Sequence, residues 1–449
     1  MVGCTADSAE MSEIFGDDIE FRRGIYEVGP SQMSMPRYLF SRAGSDGGPL
    51  RRVSASASLV ATGMRAVMEG FEADCEITAR FAKRLGLDET VSEPLQQKFA
   101  RWDGKGIPRG LGGDEIPLAA RVLALSWRTE AGHRTAGTEA TLELLGRHAG
   151  ATLDPALVEA SLPTLPGILE KLDENPWEAV VATAPLRARL TGEAFESALE
   201  ALGDFADLKS PWFAGHSQSV AELAEAAGWR LGLPEPDVNL MRRAALVHSL
   251  GRTGVPNTIW DKEGPLTVSE RERMQLYPYF TERILKRGSL SDLAFRAAAT
   301  QERLDGSGYP RGLKGSEIPV TGRVLATADV YQALCEPRPH RPAFPADEAA
   351  EELRSAVKAG LLDADAAEAV LAASGHRTRR RRSSAPADLT AREVEVLRII
   401  ARGRTSAEAA SELGIQTKTV STHIEHIYAK IGASNRSVAT LFAMEHGLI

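Results

Sequence analysis

The sequence has 449 residues, of which 43% are hydrophobic and 25% are charged, and its formal net charge is -8. These proportions are typical of folded globular proteins and exclude a wholly disordered chain, a collagen-like repeat and a coiled-coil rod. The length predicts roughly two to four domains. The overall charge gives no case for nucleic-acid binding by the chain as a whole.

The sequence contains no run of about 18 apolar residues, so neither a membrane span nor a membrane partner is expected. Its first residues lack the basic stretch followed by an apolar one that marks a secretory signal. The three cysteines, Cys4, Cys75 and Cys335, lie far apart and form no CxxC or Cys/His metal pattern. We therefore expect a cytoplasmic protein without a disulfide framework.

A repeat gives the first view of the internal organisation. Residues 103–124 and 305–326 are identical at 15 of 22 positions, with a constant offset of 202. This agreement predicts two tandem copies of one module. In each copy a loop rich in glycine and proline leads into an apolar helix, which starts near Val320 in the second copy. Strand-like alternation is scarce and helical spacing common, so the predicted fold class is all-α.

The predicted domains follow from this repeat and from shifts in composition. They are, in chain order, a reduced first module (1–169), a connecting segment (170–203), a second module (204–375), a basic linker (376–388) and a C-terminal domain (389–449). The first module is called reduced because of one alignment, of residues 84–87 with residues 230–233. On that alignment the shared loop follows 18 residues after Leu85 but 74 after Leu231, so the first copy has no counterpart of His248.

Six motifs follow one another in the second module. They are Asp207-x-Lys209, Gly215-His216-Ser217, Arg243 to Gly251, Lys262-x-Gly264-Pro265-Leu266-Thr267, Glu302 to Leu313 and Ala328-Asp329-Val330-Tyr331. In order and spacing they resemble the HD-GYP family over about 170 residues. The resemblance implies an all-helical phosphohydrolase that cleaves cyclic di-GMP at a centre of two or three metal ions. There, clustered His and Asp ligands lower the pKa of a bridging water.

Four of the seven core metal-ligand positions of that family are replaced in this sequence. The replacements are Ser249, Tyr277, Thr300 and Gln301, and the ligands that remain are His216, His248 and Asp329. A serine hydroxyl cannot replace a carboxylate that spans two cations, so we expect no binuclear centre and assign no catalytic residue. In the first copy Phe99 and Trp127 stand at the positions of Gln301 and Asp329.

The three remaining ligands leave two interpretations open. They are relics that form buried hydrogen bonds, in which case no cofactor is expected. Alternatively, two imidazoles and one carboxylate hold one divalent metal ion with open positions.

The last 61 residues, 389–449, predict four short helices. Thr390 and Glu393 have the spacing of a capping box. Ser406, Thr417 and Ser434 can cap the later helices, and the glycines that end the four are Gly403, Gly414, Gly432 and Gly447. Two short helices around a turn, followed by a longer third helix, describe a helix-turn-helix.

The residues of this segment resemble the LuxR-type DNA-binding domain along its whole length. The resemblance rests on Leu389-Thr390-x-Arg392-Glu393-x-Glu395-Val396-Leu397, Glu408-x-Ala410, Leu413-x-Ile415, Thr419-Val420-x-x-His423 and Ile427-Tyr428-x-Lys430-Ile431-Gly432. It implies that the third helix enters the major groove of double-stranded DNA. In that arrangement Lys418, Ser421, Thr422 and Glu425 face the DNA, while Thr419 and Lys430 approach phosphates.

Positive charge is concentrated just before this domain. Residues 377–449 carry 12 Lys/Arg against 7 Asp/Glu, and a single run contains Arg377, Arg379, Arg380, Arg381 and Arg382. The run is either a solvated linker or a basic arm that adds phosphate contacts, and the two interpretations are compatible. Residues 386–449 alone carry seven charges of each sign, so attraction to phosphates depends on this arm.

Three functions fit the sequence. The leading one is a DNA-binding transcription regulator, acting as a homodimer, whose helical modules sense an unknown small-molecule or nucleotide ligand or supply dimerisation. The alternative is a metal-dependent phosphohydrolase acting on a cyclic dinucleotide or nucleotide, although the lost ligands argue against an enzyme. The third is an interaction adaptor whose helix-turn-helix does not touch DNA.

Overall fold

The computed structural model describes all residues except 1–4, 6, 26–27, 29–33, 46–47, 62–64, 175–188, 287–288 and 376–385. Arg379 to Arg382 of the predicted basic linker therefore lie outside the described residues. The described residues form helices and loops with a few isolated bridges and no β-strand, which confirms the all-α prediction. None of their helices is long and apolar enough to cross a membrane.

The chain divides into two compact units, Met1–Phe195 and Glu196–Ile449. The finer boundaries proposed from the sequence stay predictions. The helices that start in the first unit are α1 (Ser8–Phe15), α2 (Asp18–Ile25), α3 (Ser34–Arg42), α4 (Pro49–Ala61), α5 (Arg65–Arg84), α6 (Glu89–Gln96), α7 (Leu118–His148, interrupted at Gly137), α8 (Pro155–Ser161), α9 (Leu165–Glu174) and α10 (Gly192–Asp207), which continues into the second unit. Met11, Phe15 and Leu39 centre one core of this unit, and Leu145 and Leu153 centre another.

The second unit contains the residues of the predicted second module. Its further α-helices are α11 (His216–Arg230), α12 (Glu235–Val247), α13 (Asn257–Trp260), α14 (Val268–Gln275), α15 (Tyr277–Leu285), α16 (Ser291–Ala298), α17 (Val320–Cys335), α18 (Ala346–Lys358) and α19 (Ala364–Ser374). The helix α11 packs against α12, α17 and α19. It buries Val220, Leu223, Ala224 and Ala227, the apolar positions that the sequence placed on one helical face.

The two repeated loops have the same backbone structure. The amide of Ile107 donates to the carbonyl of Phe99 at 3.0 Å, and the amide of Tyr309 donates to that of Gln301 at 3.1 Å. A Cβ added to Gly308 would lie 2.4 Å from the amide nitrogen of Arg303, and the equivalent glycine of the first copy meets its own loop in the same way. The glycines and prolines that the copies share therefore encode a shared loop.

The two copies differ in the stretch that precedes the repeated loop, which contains fewer helices in the first copy. Between α5 and the loop that starts at residue 103 there is one helix, α6. Between α11 and the loop that starts at residue 305 there are the five helices α12 to α16 and two short 3-10 turns, Leu250–Gly254 and Ala299–Gln301.

The C-terminal domain contains α20 (Ala391–Ala401), α21 (Ser406–Leu413), α22 (Thr417–Ile431) and α23 (Arg436–Glu445). The capping box of Thr390 and Glu393 is present, as predicted. The three other predicted caps were wrong by one residue. Thr405 caps α21 because it forms a capping box with Glu408, and Asn435 caps α23 by accepting from the amide of Val438. Thr417 is the first residue of α22 rather than its cap.

This domain touches the second module through two glycines. A Cβ added to Gly403 would lie 2.6 Å from the Cβ of Pro211, and one added to Gly215 would lie 2.8 Å from the carbonyl oxygen of Ile449. Both contacts fall on the short segment of the second module that leads into α11.

A further close approach holds the loop after His248 against α15. A Cβ at Gly251 would lie only 1.8 Å from the carbonyl oxygen of Tyr277. We expect Gly251→Ala to lower the free energy of unfolding by about 3 kcal/mol, because a methyl group there forces two elements apart. The matched control is Gly264→Ala, since that glycine has no atom within 4 Å of its Cβ position. Urea unfolding of the full chain measures both, and equal midpoints would contradict the prediction.

Candidate metal centre and DNA interface

The structure brings the three remaining ligand residues together. His216 begins α11, His248 follows the last residue of α12, and Asp329 lies in the middle of α17. All three are buried, and one ligand atom of each lies within 4.8 Å of the others. Three helices that are far apart in the sequence therefore supply one cluster.

Asp329 is the centre of a hydrogen-bond network. Its Oδ1 lies 3.0 Å from Nε2 of His216 and 3.2 Å from Nε2 of His248, and its Oδ2 accepts from Nε2 of Gln301 at 2.7 Å. Burial alone would raise the pKa of Asp329. The hydrogen bonds from the two histidines and their charges outweigh it, so the pKa lies well below its usual value. The group is therefore a carboxylate with several donors.

A second layer of groups orients the histidines. The Nδ1 of His216 lies 2.8 Å from Oε2 of Glu336, and the Nδ1 of His248 donates to the carbonyl of Ala245 at 2.6 Å. Burial opposes the charge of Glu336, yet His216 and Arg338 lower the pKa of this glutamate to about 2. Such partners on the far ring nitrogen are typical of histidines that bind metal.

His216 faces a carboxylate on each of its ring nitrogens. Burial disfavours the imidazolium, but Glu336 and Asp329 raise the pKa of His216 above its ordinary value. Without a metal ion the ring therefore donates two hydrogen bonds. A metal ion that binds at Nε2 would replace the proton that this atom gives to Asp329.

Side chains without a carboxylate or an imidazole stand around this cluster at the four replaced ligand positions. Ser249 Oγ lies 3.2 Å from Nε2 of His248, and Thr300 is fully buried. Burial and the nearby Asp329 raise the pKa of Tyr277 to about 12, so its phenol stays protonated. Gln301 donates an amide proton to Asp329 instead of offering a lone pair to a metal.

Arg252 adds a positive charge to the same side of the cluster. Its Nη2 lies 3.9 Å from Oδ1 of Asp329, and its guanidinium lies 4.3 Å from the ring centroid of Phe213 and 5.6 Å from that of Tyr277. A fixed cation here opposes a second metal ion. The donor set therefore fits one divalent cation held by His216, His248 and Asp329, and it does not fit two.

Sequence reasoning missed two residues of this site. One is Arg252, whose position above two aromatic rings depends on the tertiary structure. Glu336 lies seven residues after Asp329 at the end of the same helix, a spacing that places both on one face. That spacing is the signal in the sequence that could have identified Glu336 as a site residue.

The repeated loop of the second module supports Gln301. The hydroxyl of Tyr309 donates to Oε1 of Gln301 at 3.2 Å, while the carboxylate of Glu302 accepts from the amides of Arg311 and Leu313 at 2.8 Å each. The loop therefore holds the amide that bonds to Asp329, so it has a structural role whether or not it also contacts a ligand.

The third helix of the C-terminal domain has one buried face and one exposed face. Val420, Ile427 and Ile431 are buried in the domain core. The exposed residues include the predicted DNA contacts Lys418, Thr419, Ser421, Thr422 and Glu425. The hydroxyls of Ser421 and Thr422 donate to the carbonyls of Thr417 and Lys418, four residues earlier.

Lys430 is in a different situation. Its Nζ lies 2.7 Å from Oε2 of Glu393, the carboxylate of the first capping box. Burial raises the pKa of Glu393, but the bonds from Lys430 and Thr390 lower it to about 2. Lys430 thus links two helices of the domain, and its predicted approach to a phosphate stays a prediction.

Comparisons with known proteins identify two matched regions of the chain. A family profile described as "HD domain" matches residues 200–366, and one described as "Bacterial regulatory proteins, luxR family" matches 387–443. The 3'3'-cGAMP-specific phosphodiesterase 3 of Vibrio cholerae is 32% identical over 362 residues, which is 77% of each chain. A cyclic di-GMP phosphodiesterase of Thermotoga maritima is 36% identical over 160 residues, 35% of this chain and 43% of that protein.

A solved structure extends the likeness beyond the second module. The crystal structure of cyclic GMP-AMP-specific phosphodiesterases of Vibrio cholerae aligns with a TM-score of 0.50 and 26% identity. The alignment covers 84% of this chain and 91% of that one.

The geometry predicts the metal content of the protein. After saturation with Mn²⁺ and removal of the excess, we expect no more than one ion per chain by elemental analysis, because ligands for a second ion are missing. His248→Ala should lose the ion, whereas the exposed His340→Ala should keep it. Two ions per chain would contradict this description of the site.

Proposed function

This chain belongs to the family of HD-domain proteins that includes the Vibrio phosphodiesterase, and we propose that it is a DNA-binding transcription regulator. Its C-terminal LuxR-family domain reads the DNA. Its two helical modules act as a sensor or dimerisation region that no longer hydrolyses phosphodiesters. A homodimer would place two copies of α22 on half-sites about one turn of DNA apart.

The observation that carries the proposal is the face of α22 that stays exposed. Polar side chains of several hydrogen-bonding types lie side by side on it, while the apolar face of the same helix is buried in the domain core. A helix in the major groove needs such a polar face to read base edges.

The residues of the site in the second module support the proposal that hydrolytic activity has been lost. Metal-assisted hydrolysis of a phosphodiester with two ions requires ligands that bridge them and a water held between them. Ser249 stands where the bridging carboxylate would be, and the guanidinium of Arg252 lies beside Asp329. If one metal ion is bound, it would act as a Lewis acid. The chain itself supplies the buried ligands and the carboxylate that orients His216.

Two substitutions on α22 test the DNA interface. Lys418→Ala should weaken binding to selected DNA about equally for all sequences, since it removes a charge. Glu425→Ala should relax the preference at one base pair, at a cost in discrimination of about 1–3 kcal/mol. Lys358→Ala on α18, which removes an exposed lysine of the second module, is the matched control. Selection from random DNA followed by fluorescence anisotropy measures all three.

If the full chain selects no sequence from random DNA, the proposed regulator is wrong. The chain would then be an interaction adaptor whose helix-turn-helix does not contact DNA. Equal losses for Lys418→Ala and Lys358→Ala would place the DNA contacts elsewhere on the chain.

The arginine run has its own test. Each phosphate contact contributes about 0.9 to the slope of log K against log salt concentration. Changing Arg379, Arg380, Arg381 and Arg382 to alanine should therefore reduce that slope by up to about 4 if the run is a basic arm. An unchanged slope would identify the run as a solvated linker.

A metal-dependent phosphohydrolase remains the second candidate function. It is favoured by the convergence of His216, His248 and Asp329 in a protein related to phosphodiesterases. Incubation of the Mn²⁺-loaded chain with 3'3'-cGAMP and with cyclic di-GMP decides between the two. Hydrolysis that His248→Ala abolishes would establish the enzyme, and the regulator predicts none.

A further inference from the structure

The first unit contains a cavity of about 510 Å³. It lies against the repeated loop of the first copy and against α7. Phe99 and Trp127 line it, and they stand at the sequence positions that Gln301 and Asp329 occupy in the second copy. The cavity therefore occupies the place in the first copy that corresponds to the polar cluster of the second.

Aromatic rings form one wall of this cavity. The rings of Phe99 and Trp127 are stacked, with centroids 5.7 Å apart and planes 21° from parallel. Phe71 meets Phe99 edge-on at 5.0 Å and also lines the cavity. All three side chains are half-buried, so part of this wall is open to the cavity. A stacked aromatic wall favours a ligand that carries a flat ring.

Five basic side chains also line the cavity; Lys105 and Arg109 are exposed, and Lys98 and Arg101 have acidic partners. Lys98 pairs with Asp74 at 2.8 Å, and Arg101 pairs with Asp103 at 2.7 Å. Arg128 is different, since no acidic side chain within the described part of the chain forms an ion pair with it. Its Nη1 is buried and has no hydrogen-bond partner among the described residues.

The surroundings of Arg128 do not offset its charge. Burial, and then the charge of Arg101, lower the pKa of Arg128 to about 10, so the guanidinium is charged at neutral pH. Burial, together with Arg128 and its basic neighbours, lowers the pKa of His148 to about 3, so this imidazole is neutral. An uncompensated, partly buried cation is costly, and an anion that enters the cavity would remove that cost.

We propose that this cavity binds a nucleoside monophosphate, with the phosphate at Arg128 and the base against Phe99 and Trp127. A guanidinium presents a planar pair of donors that matches two phosphate oxygens. The cavity volume lies within the range of ligand sites, which is about 300–1,000 Å³. The binding residues belong to the first unit alone.

This inference deepens the proposed function, because it gives the sensor region a ligand. Its test does not use DNA, so the binding site and the regulator can fail separately.

Isothermal titration calorimetry of the full chain, with GMP, guanosine and inorganic phosphate as probes, tests the proposal. We expect GMP to bind more tightly than either guanosine or phosphate. Arg128→Gln should weaken GMP binding at least tenfold while leaving guanosine binding unchanged. Phe99→Leu should weaken both. Arg134→Gln is the matched control, because Arg134 is an exposed arginine of the same helix that pairs with Glu130.

Thermal unfolding accompanies each variant to show that it folds. Because Arg128→Gln removes an uncompensated charge, it should melt no lower than the unmodified chain. Arg128→Lys keeps the charge without the planar fork and should bind GMP with intermediate affinity.

Four results would overturn the proposal. The first three are absence of GMP binding at millimolar concentration, an unchanged GMP affinity in Arg128→Gln, and phosphate binding as tight as GMP binding. The fourth is GMP binding that His248→Ala abolishes and Arg128→Gln leaves unchanged, which would place the nucleotide in the second module.

Discussion

The second module is organised around one buried negative charge, the carboxylate of Asp329. A carboxylate in this position needs compensation, and only a cation or several hydrogen-bond donors can provide it. Gln301 donates to it, Nε2 of His216 and Nε2 of His248 lie 3.0 and 3.2 Å from its Oδ1, and Arg252 lies beside it. The packing of α11, α12 and α17 that brings these groups together thus serves two purposes. It forms the core, and it keeps the carboxylate charged.

In the two copies, the same loop structure lies beside sites of different chemistry, one aromatic and one polar. The backbone of the repeated loop depends on glycines that other atoms approach closely, and these are the same in both copies. The side chains that face the centre of each module are under no such constraint. The first copy has an aromatic pair at the positions where the second has an amide and a carboxylate. Loop sequence is therefore evidence for the module and carries little information about its chemistry.

Much of the architecture followed from the sequence, for reasons that are local. The all-α class and the capping box of Thr390 depend on short-range patterns and are confirmed. The resemblance to known families identified His216, His248 and Asp329, which no spacing rule would have joined across more than 100 residues. Arg252 and the cavity beside Trp127 were not found, because each depends on which helices pack together. The caps of α21 and α23 were missed because neighbouring Ser, Thr and Asn residues compete for one position.

The short segment from Pro211 to His216 links the two ends of the second unit. It ends in a histidine of the polar cluster, and two of its residues contact the C-terminal domain, at Gly403 and at Ile449. If the C-terminal domain binds DNA as proposed, a ligand that changes the contacts of this segment with that domain would also change the free energy of DNA binding. Because free energies around a closed thermodynamic cycle sum to zero, DNA must then change the affinity for that ligand by the same factor. An operator sequence would thus be an allosteric effector of the HD site.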